Sequence, residues 1–474
     1  MSAASTSASL QASFQVGEAT PTPTPTPIPT SALHLTGATP AALAAYDSAL
    51  AAVLAWRSGA GALLEQALAQ APGFVMAHVL QAYTLLCSRD RRRVQAARPV
   101  LHRAAGLAAN EREAAHLAAI ASVLADNYDF ARETLGELLQ QDPRDALAVH
   151  AAHALDYLTG DAERMNTRVA SLLPAWSPTV SGYHAVLSMH AFGLVECGDS
   201  EGAERDARAA LALNPQDARA HHVMAHVFEM TGRADEGLRW LHEHRACWAD
   251  HSAVATHCWW HLALFLIERG QAAAALDVYD QRVRADRSGA IADLIDASAL
   301  LWRLQLCGHD AGARWEELCD AWEAHIADGF CSFTDVHAML AFVGARDWAR
   351  ARSLERALAV SETQPTRHGK TTRQLGLPAC RALVAFGHGD HARAIGLLAG
   401  LPALAHRLGG SHAQRDVLHL TLLQAVERVR RPVRRAVERI HTVPSPGSRF
   451  AGSPLHAAAP ASAPVSASAS ASGG

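Results

Sequence analysis

Lysine is almost missing from this chain. Lys370 is the only one, and the remaining positive charge is arginine. So lopsided a choice reflects GC-rich coding, not a phosphate-binding design. The formal net charge is −4, which gives no electrostatic case for nucleic acid or an anionic membrane as the main partner. Long apolar runs are missing as well, so no membrane-spanning helix is expected. The opening residues "MSAASTSASLQASFQVGEA" have no basic segment and no apolar core, and so do not read as a secretory signal. There is no C-x-x-C pair among the eight cysteines, which excludes zinc-ribbon and thioredoxin-type sites. Most of those cysteines sit among apolar residues, where a free thiol acts as a small hydrophobe, and a reducing, cytoplasmic setting is expected. No H-E-x-x-H occurs. "RHGKTT" at 367–372 ends like a phosphate loop but lacks the glycine and the strand that should precede it, so an exposed connector is expected. The arginine-rich "ERVRRPVRRAVERIH" at 427–441, broken by Pro432, reads as a solvated terminal helix.

What is present is helix. Residues 1–38, with "PTPTPTPIPT" at 21–30, and residues 443–474 are Ser, Thr, Ala and Pro, too poor in large apolar residues to offset ordering; both are expected to be disordered tails. Between them, over 39–442, alanine, leucine and arginine dominate and apolar residues recur at three- and four-residue spacing. The breaks are short and carry helix-ending glycines and helix-starting Asp or Asn: "TGD" at 159, "LNPQD" at 213, "TGRAD" at 231, "ERGQ" at 268. The breaks are also periodic. A 34-residue frame from Ala218 sets Ala225 at position 8, Gly232 at 15 and Gly237 at 20; one from Thr256 sets Ala263 at 8, Gly270 at 15 and Ala275 at 20. That is the tetratricopeptide pattern. The predicted fold is an all-α solenoid, a right-handed superhelix of about nine or ten helical hairpins, each burying its apolar face only against its neighbours.

Several blocks in this order carry a family likeness: "AHVFEMTGRADEGLRWL", "THCWWHLALFLIERGQAAAALDVYD", "LIDASALLWRLQLCG", "DVHAMLAFVGA", "GLPACRALVAF" and "GGSHAQRDVL". Over residues 40–430 the chain resembles the tetratricopeptide repeat protein 38 family. The resemblance implies the architecture and names no activity.

Histidine is abundant, at 27 residues, and its placement raises the functional question. In tetratricopeptide folds, positions 2, 5, 9 and 12 of each first helix line the concave groove. Here those positions are Arg219, His222, His226 and Glu229 in one repeat, and His257, Trp260 and Leu264 in the next, with His261 beside them. His222 with His226, and His257 with His261, are i, i+4 pairs on neighbouring helices. His116 and His150 occupy position 5 of earlier repeats. Three readings follow. The histidines set groove shape through ordinary hydrogen bonds; or they anchor a protein, peptide or small-molecule ligand, with Trp260 as a wall; or His222, His226, His257 and His261 bind a divalent metal with Glu229 as base or ligand, which opens hydrolytic chemistry. Asp335 and His337, and Arg415 and Asp416 from "GGSHAQRDVL", join the candidates because a superhelix can bring its last repeats to face its middle. The leading expectation is a binding protein with a His/Trp-lined concave groove, the alternative a small-molecule enzyme; catalytic residues and cofactor stay open.

Overall fold

The computed structural model describes residues 35–442, with side chains as far as residue 430. Most of both tails expected from composition lies outside these residues. Residues 35–38 do not behave as tail. The Thr36 N–H donates to Glu113 Oε1 at 2.8 Å, and its carbonyl accepts from the Val75 N–H at 3.2 Å.

The helices come in hairpins. Pro40–Leu54 pairs with Ala60–Gln70, Val75–Leu86 with Arg91–Ala105, Glu111–Leu124 with Tyr128–Gln141, Ala146–Thr159 with Ala162–Leu172, and Tyr183–Glu196 with Ser200–Leu213. The series continues with Ala218–Met230 and Ala234–Glu243, Ala255–Glu268 and Ala272–Val278, Ile291–Leu306 and Arg314–Trp322, Ser332–Gly344 and Trp348–Ser361, and Leu377–Gly387 and His391–Leu398. A last helix begins at Val417 and runs to Thr442. Among the described residues there is no β-strand; Arg57 and Ser252 form a single isolated bridge.

Local chemistry explains the boundaries. Asp145, Asp199 and Asp217 each cap a helix start by accepting the N–H three residues on, which satisfies an otherwise orphaned donor. Gly232 and Gly270, both at position 15 of their frames, hold φ of +66° and +71°, the left-handed turn that glycine tolerates best. At position 20, a Cβ on Gly237 would stand 2.5 Å from Phe265 ring atoms, so the absence of a side chain there is what lets consecutive hairpins touch.

The stack closes on itself more tightly than the repeat pattern implies. The turn after the first helix reaches the middle of the chain: Ala218 N–H donates to the Ala55 carbonyl at 3.1 Å, and Ala253 N–H to the Trp56 carbonyl at 2.8 Å. Late elements return to early ones, with Arg92 bonding the Ala324 carbonyl at 2.8 Å and the Arg367 N–H bonding Asp126 at 3.0 Å. The inner side is thereby filled, and every residue from Ala218 to Phe228 is buried. The expectation of an open groove at this stripe is corrected. The "RHGKTT" segment is corrected too: Arg367–Thr371 is a helical turn, with His368 and Gly369 buried.

Candidate metal centre

Small residues bring the helices Ala218–Met230 and Ala255–Glu268 together, with Ala225 and Ala263 fully buried. Their polar stripes then meet. One nitrogen from each of His222, His226, His257 and His261 lies within 4.8 Å of the other three. His222 Nε2 and His226 Nε2 are 2.9 Å apart. The ring centres of His226 and His261 are 4.5 Å apart, those of His222 and His257 4.9 Å.

Two carboxylates stand behind this cluster. Glu229 Oε2 lies 3.1 Å from His261 Nδ1, and Asp296 Oδ2 lies 2.9 Å from His257 Nδ1. A carboxylate accepts, so it draws the hydrogen to each Nδ1 and leaves each Nε2 with a lone pair. His261 Nε2 is buried without a hydrogen-bond partner. This is the arrangement of metal-ligating histidines, in which the outer nitrogen donates to a carboxylate and the inner one is left for the ion. Aromatic rings close the sides. Trp56 is 5.4 Å from His222, Phe192 is 5.4 Å from His226, and Trp260 stacks on His257 at 5.0 Å and 11°.

Burial sets the charge states. His222, His226 and His261 are 3%, 1% and 0% exposed. Burial, reinforced by the neighbouring imidazoles and arginines, holds all three well below the ordinary histidine pKa. They are neutral at neutral pH, the form that binds metals. Glu229 behaves oppositely. A fifth of its side chain reaches solvent, yet the carboxylate lies among protein atoms and burial pushes its pKa up to about 7. Glu229 at 22% and His257 at 16% side-chain exposure are the two most accessible members of the group.

The remaining candidates divide. Arg415 bonds Glu196 at 3.1 Å and the Gly410 carbonyl, and so pins the C-terminal turn. Asp416 forms no direct bond to the cluster; its charge, with those of Glu229 and Asp296, offsets the burial that lowers the pKa of Arg303. Asp335 faces His368 at 3.8 Å, and burial raises its carboxyl well above the usual range. His337 Nδ1 donates to the Phe333 carbonyl at 2.8 Å. His116 is held by Asp145 and Tyr83, each at 3.0 Å, and His150 accepts from Arg219 at 2.9 Å. None of Asp335, His337, His116 or His150 belongs to the group of four.

Sequence reasoning missed Asp296, Gln414 and Arg303. Gln414 Nε2 donates to Asp296 Oδ1 at 3.2 Å. The Arg303 guanidinium lies 5.3 Å from the Trp260 ring centre and donates to the carbonyls of Ala299 and Ala413. A signal for Asp296 existed: it is a lone carboxylate inside the apolar run "LIDASALLW", and a buried carboxylate requires a partner.

Fold and site together define an all-α solenoid of the tetratricopeptide type, wound around a buried histidine cluster. No family model matches the chain. Among solved structures it is similar to yeast Tom70, at 10% identity and a TM-score of 0.39 over 85% of this chain and 92% of that one. It is also similar to the TPR domain of P58(IPK), at 14% identity and a TM-score of 0.19 over 72% of this chain and 88% of that one.

Proposed function

We propose that this chain is a metal-binding repeat protein of the tetratricopeptide repeat protein 38 family, acting in the cytoplasm. One divalent transition ion of the zinc class would be held by His222, His226, His257 and His261. The observation that carries this reading is the convergence of four imidazole nitrogens within 4.8 Å, two of them backed by Glu229 and Asp296. Imidazole ligands suit zinc, copper, iron and nickel. Tetrahedral zinc needs nitrogens about 3.3 Å apart, given metal–nitrogen bonds of about 2.0–2.1 Å, so small side-chain shifts suffice. All eight cysteines are free, which supports a reducing compartment. No helix among the described residues is long and apolar enough to cross a membrane.

A second reading, catalysis at this centre, is favoured by Glu229. A carboxylate near pH 7 at the accessible edge suits a general base. A small ligand would enter past Glu229 and His257. A protein partner would have to use surface outside this stripe, because the stripe itself is buried. The test is elemental analysis of protein purified without a histidine tag. Close to one ion per chain is expected, falling to background in the His226→Ala/His261→Ala variant. Metal-free protein that takes up no zinc, cobalt or nickel on titration would end the proposal.

A further inference from the structure

Where the early hairpins meet the late ones lies a cleft of about 470 Å³. It shares Asp126, Tyr128, Arg367, Thr371 and Arg407 with a smaller hollow beside Cys331. Four cations border this seam: Arg89, Arg367, Lys370 and Arg407. The chain's only lysine is one of them. The segment from Thr366 to Thr371 has no phosphate-loop geometry, but it delivers two of the four.

The two inner arginines are held by neutral groups. The Arg89 guanidinium lies 4.5 Å from the Phe333 ring centre and 5.1 Å from that of Tyr157. Its Nη1 points to Cys331 Sγ at 3.8 Å, and its Nη2 is buried with no hydrogen-bond partner. Arg367 packs over Tyr128 at 5.6 Å and donates to the Thr159 carbonyl at 2.9 Å. Among the described residues none of the four forms an ion pair within 4 Å. Two carboxylates also line the cleft, Asp126, which accepts from the Arg367 backbone N–H, and Asp129, which pairs with Arg132; they face the three cations Arg367, Lys370 and Arg407. Lys370 and Arg407 are exposed and Arg89 and Arg367 part-buried; a cation partly withdrawn from water without a carboxylate, as Arg367 is, carries a desolvation cost. A bound anion would supply that missing charge.

We propose that this cleft binds a small phosphate dianion, free or as a monoester. Guanidinium forks and an ammonium around one opening are the groups that recognise phosphate. A carboxylate monoanion would leave most of the positive charge uncompensated. The volume falls within the range of small-ligand pockets, roughly 300–1,000 Å³. The site is separate from the four histidines and does not depend on their metal.

The test is calorimetric titration of the full chain, stripped of metal so that phosphate cannot bind at the histidines. Inorganic phosphate, glycerol 3-phosphate and acetate are the probes. Saturable binding of phosphate or of the ester, weakened by added salt, is expected, and the tighter of the two identifies the source. Lys370 and Arg407 are exposed, so the Lys370→Gln/Arg407→Gln variant should stay folded and bind at least tenfold more weakly. Arg367→Gln should weaken binding further, with circular dichroism checking its fold. Absence of binding, acetate binding as well as phosphate, or unchanged affinity in the folded double variant would each overturn the proposal.

Discussion

His222 and His226 face each other through Nε2 atoms 2.9 Å apart, one turn apart on one helix. Without an ion, one ring must carry its proton on Nε2 and donate to the other. Yet His222 Nδ1 is also buried without a partner, so either tautomer leaves a polar atom unsatisfied at a cost of about 1–3 kcal/mol. An ion accepting the Nε2 lone pairs of both rings would replace that single N–H···N bond with two metal–nitrogen bonds, the His222 hydrogen then lying on its unpartnered Nδ1. That gives the histidine stripe a reason to exist in a place where an apolar stripe would pack more cheaply.

Metal should therefore stabilise the folded chain. A ligand that binds only the native state adds about 4 kcal/mol at a free concentration a thousandfold above its Kd. The metal-loaded protein is expected to melt well above the chelator-treated protein. In the His222→Ala/His226→Ala variant the two melting curves should coincide. A chelator effect of equal size in both proteins would place the ion elsewhere.

Asp296 should matter more for metal than its distance from the ion suggests. It fixes the His257 ring through Nδ1 and is itself held by Gln414. Loss of such an orienting carboxylate typically costs 10–100-fold in affinity. Asp296→Ala is expected to weaken zinc binding by about that factor in a competition titration with a chromophoric chelator. Gln414→Ala, one step further out, should change affinity by only a few-fold.

The hairpins and the histidine stripe were legible because both are local. Gly232 and Gly270 punctuate a period, and His222, His226, His257 and His261 follow helical spacing within it. The meeting of the last repeats with the middle was expected from the superhelix; the contacts that make the closure were not legible. That Ala55 bonds Ala218, that Trp56 and Phe192 wall in His222, and that Gln414 reaches Asp296 are contacts between segments far apart in the chain. Repeat periodicity encodes neighbour-to-neighbour packing and leaves the overall curl to small angles summed over many hairpins. An open groove was therefore expected where the fold has a mostly buried centre that reaches solvent at Glu229 and His257.

The small residues at the hairpin contacts give a packing test. Ala263 is fully buried, and a Cβ at Gly237 would meet the Phe265 ring at 2.5 Å. Ala263→Leu should cost about 1–3 kcal/mol through overpacking. Gly237→Ala in a helix interior would ordinarily gain up to about 1 kcal/mol, but here it should destabilise. Phe228→Ala on the same core should cost about 3–5 kcal/mol. Urea denaturation measures all three; a stabilised Gly237→Ala would show that the hairpins are not in contact there.

Acid should unfold the metal-free chain, and the buried groups give the sign. His222, His226 and His261 have folded pKa values well below the ordinary 6.5. Below about 6.5 the unfolded chain binds protons that the folded chain refuses, so stability falls as pH drops from there. Glu229 opposes this. Its pKa is raised from 4.5 to about 7 by burial, so its contribution is full below 4.5 and is lost as pH rises through 7. Burial lowers the pKa of five further histidines, His150, His153, His221, His337 and His368, and raises that of three further carboxyls, Asp126, Glu196 and Asp335; eight histidines against four carboxyls leave a net acid destabilisation between 4.5 and 6.5. Urea melts at pH 7.5 and pH 5.5, after chelator treatment, should show the lower stability at pH 5.5. The His222→Gln/His226→Gln variant should flatten that difference, and Glu229→Gln should enlarge it because the opposing group is gone. In the metal-loaded protein the loss should be steeper still, since protons then compete with the ion for the same nitrogens. The same pH dependence in the His222→Gln/His226→Gln variant as in the metal-free wild type would mean that these imidazoles are solvated and the centre is open.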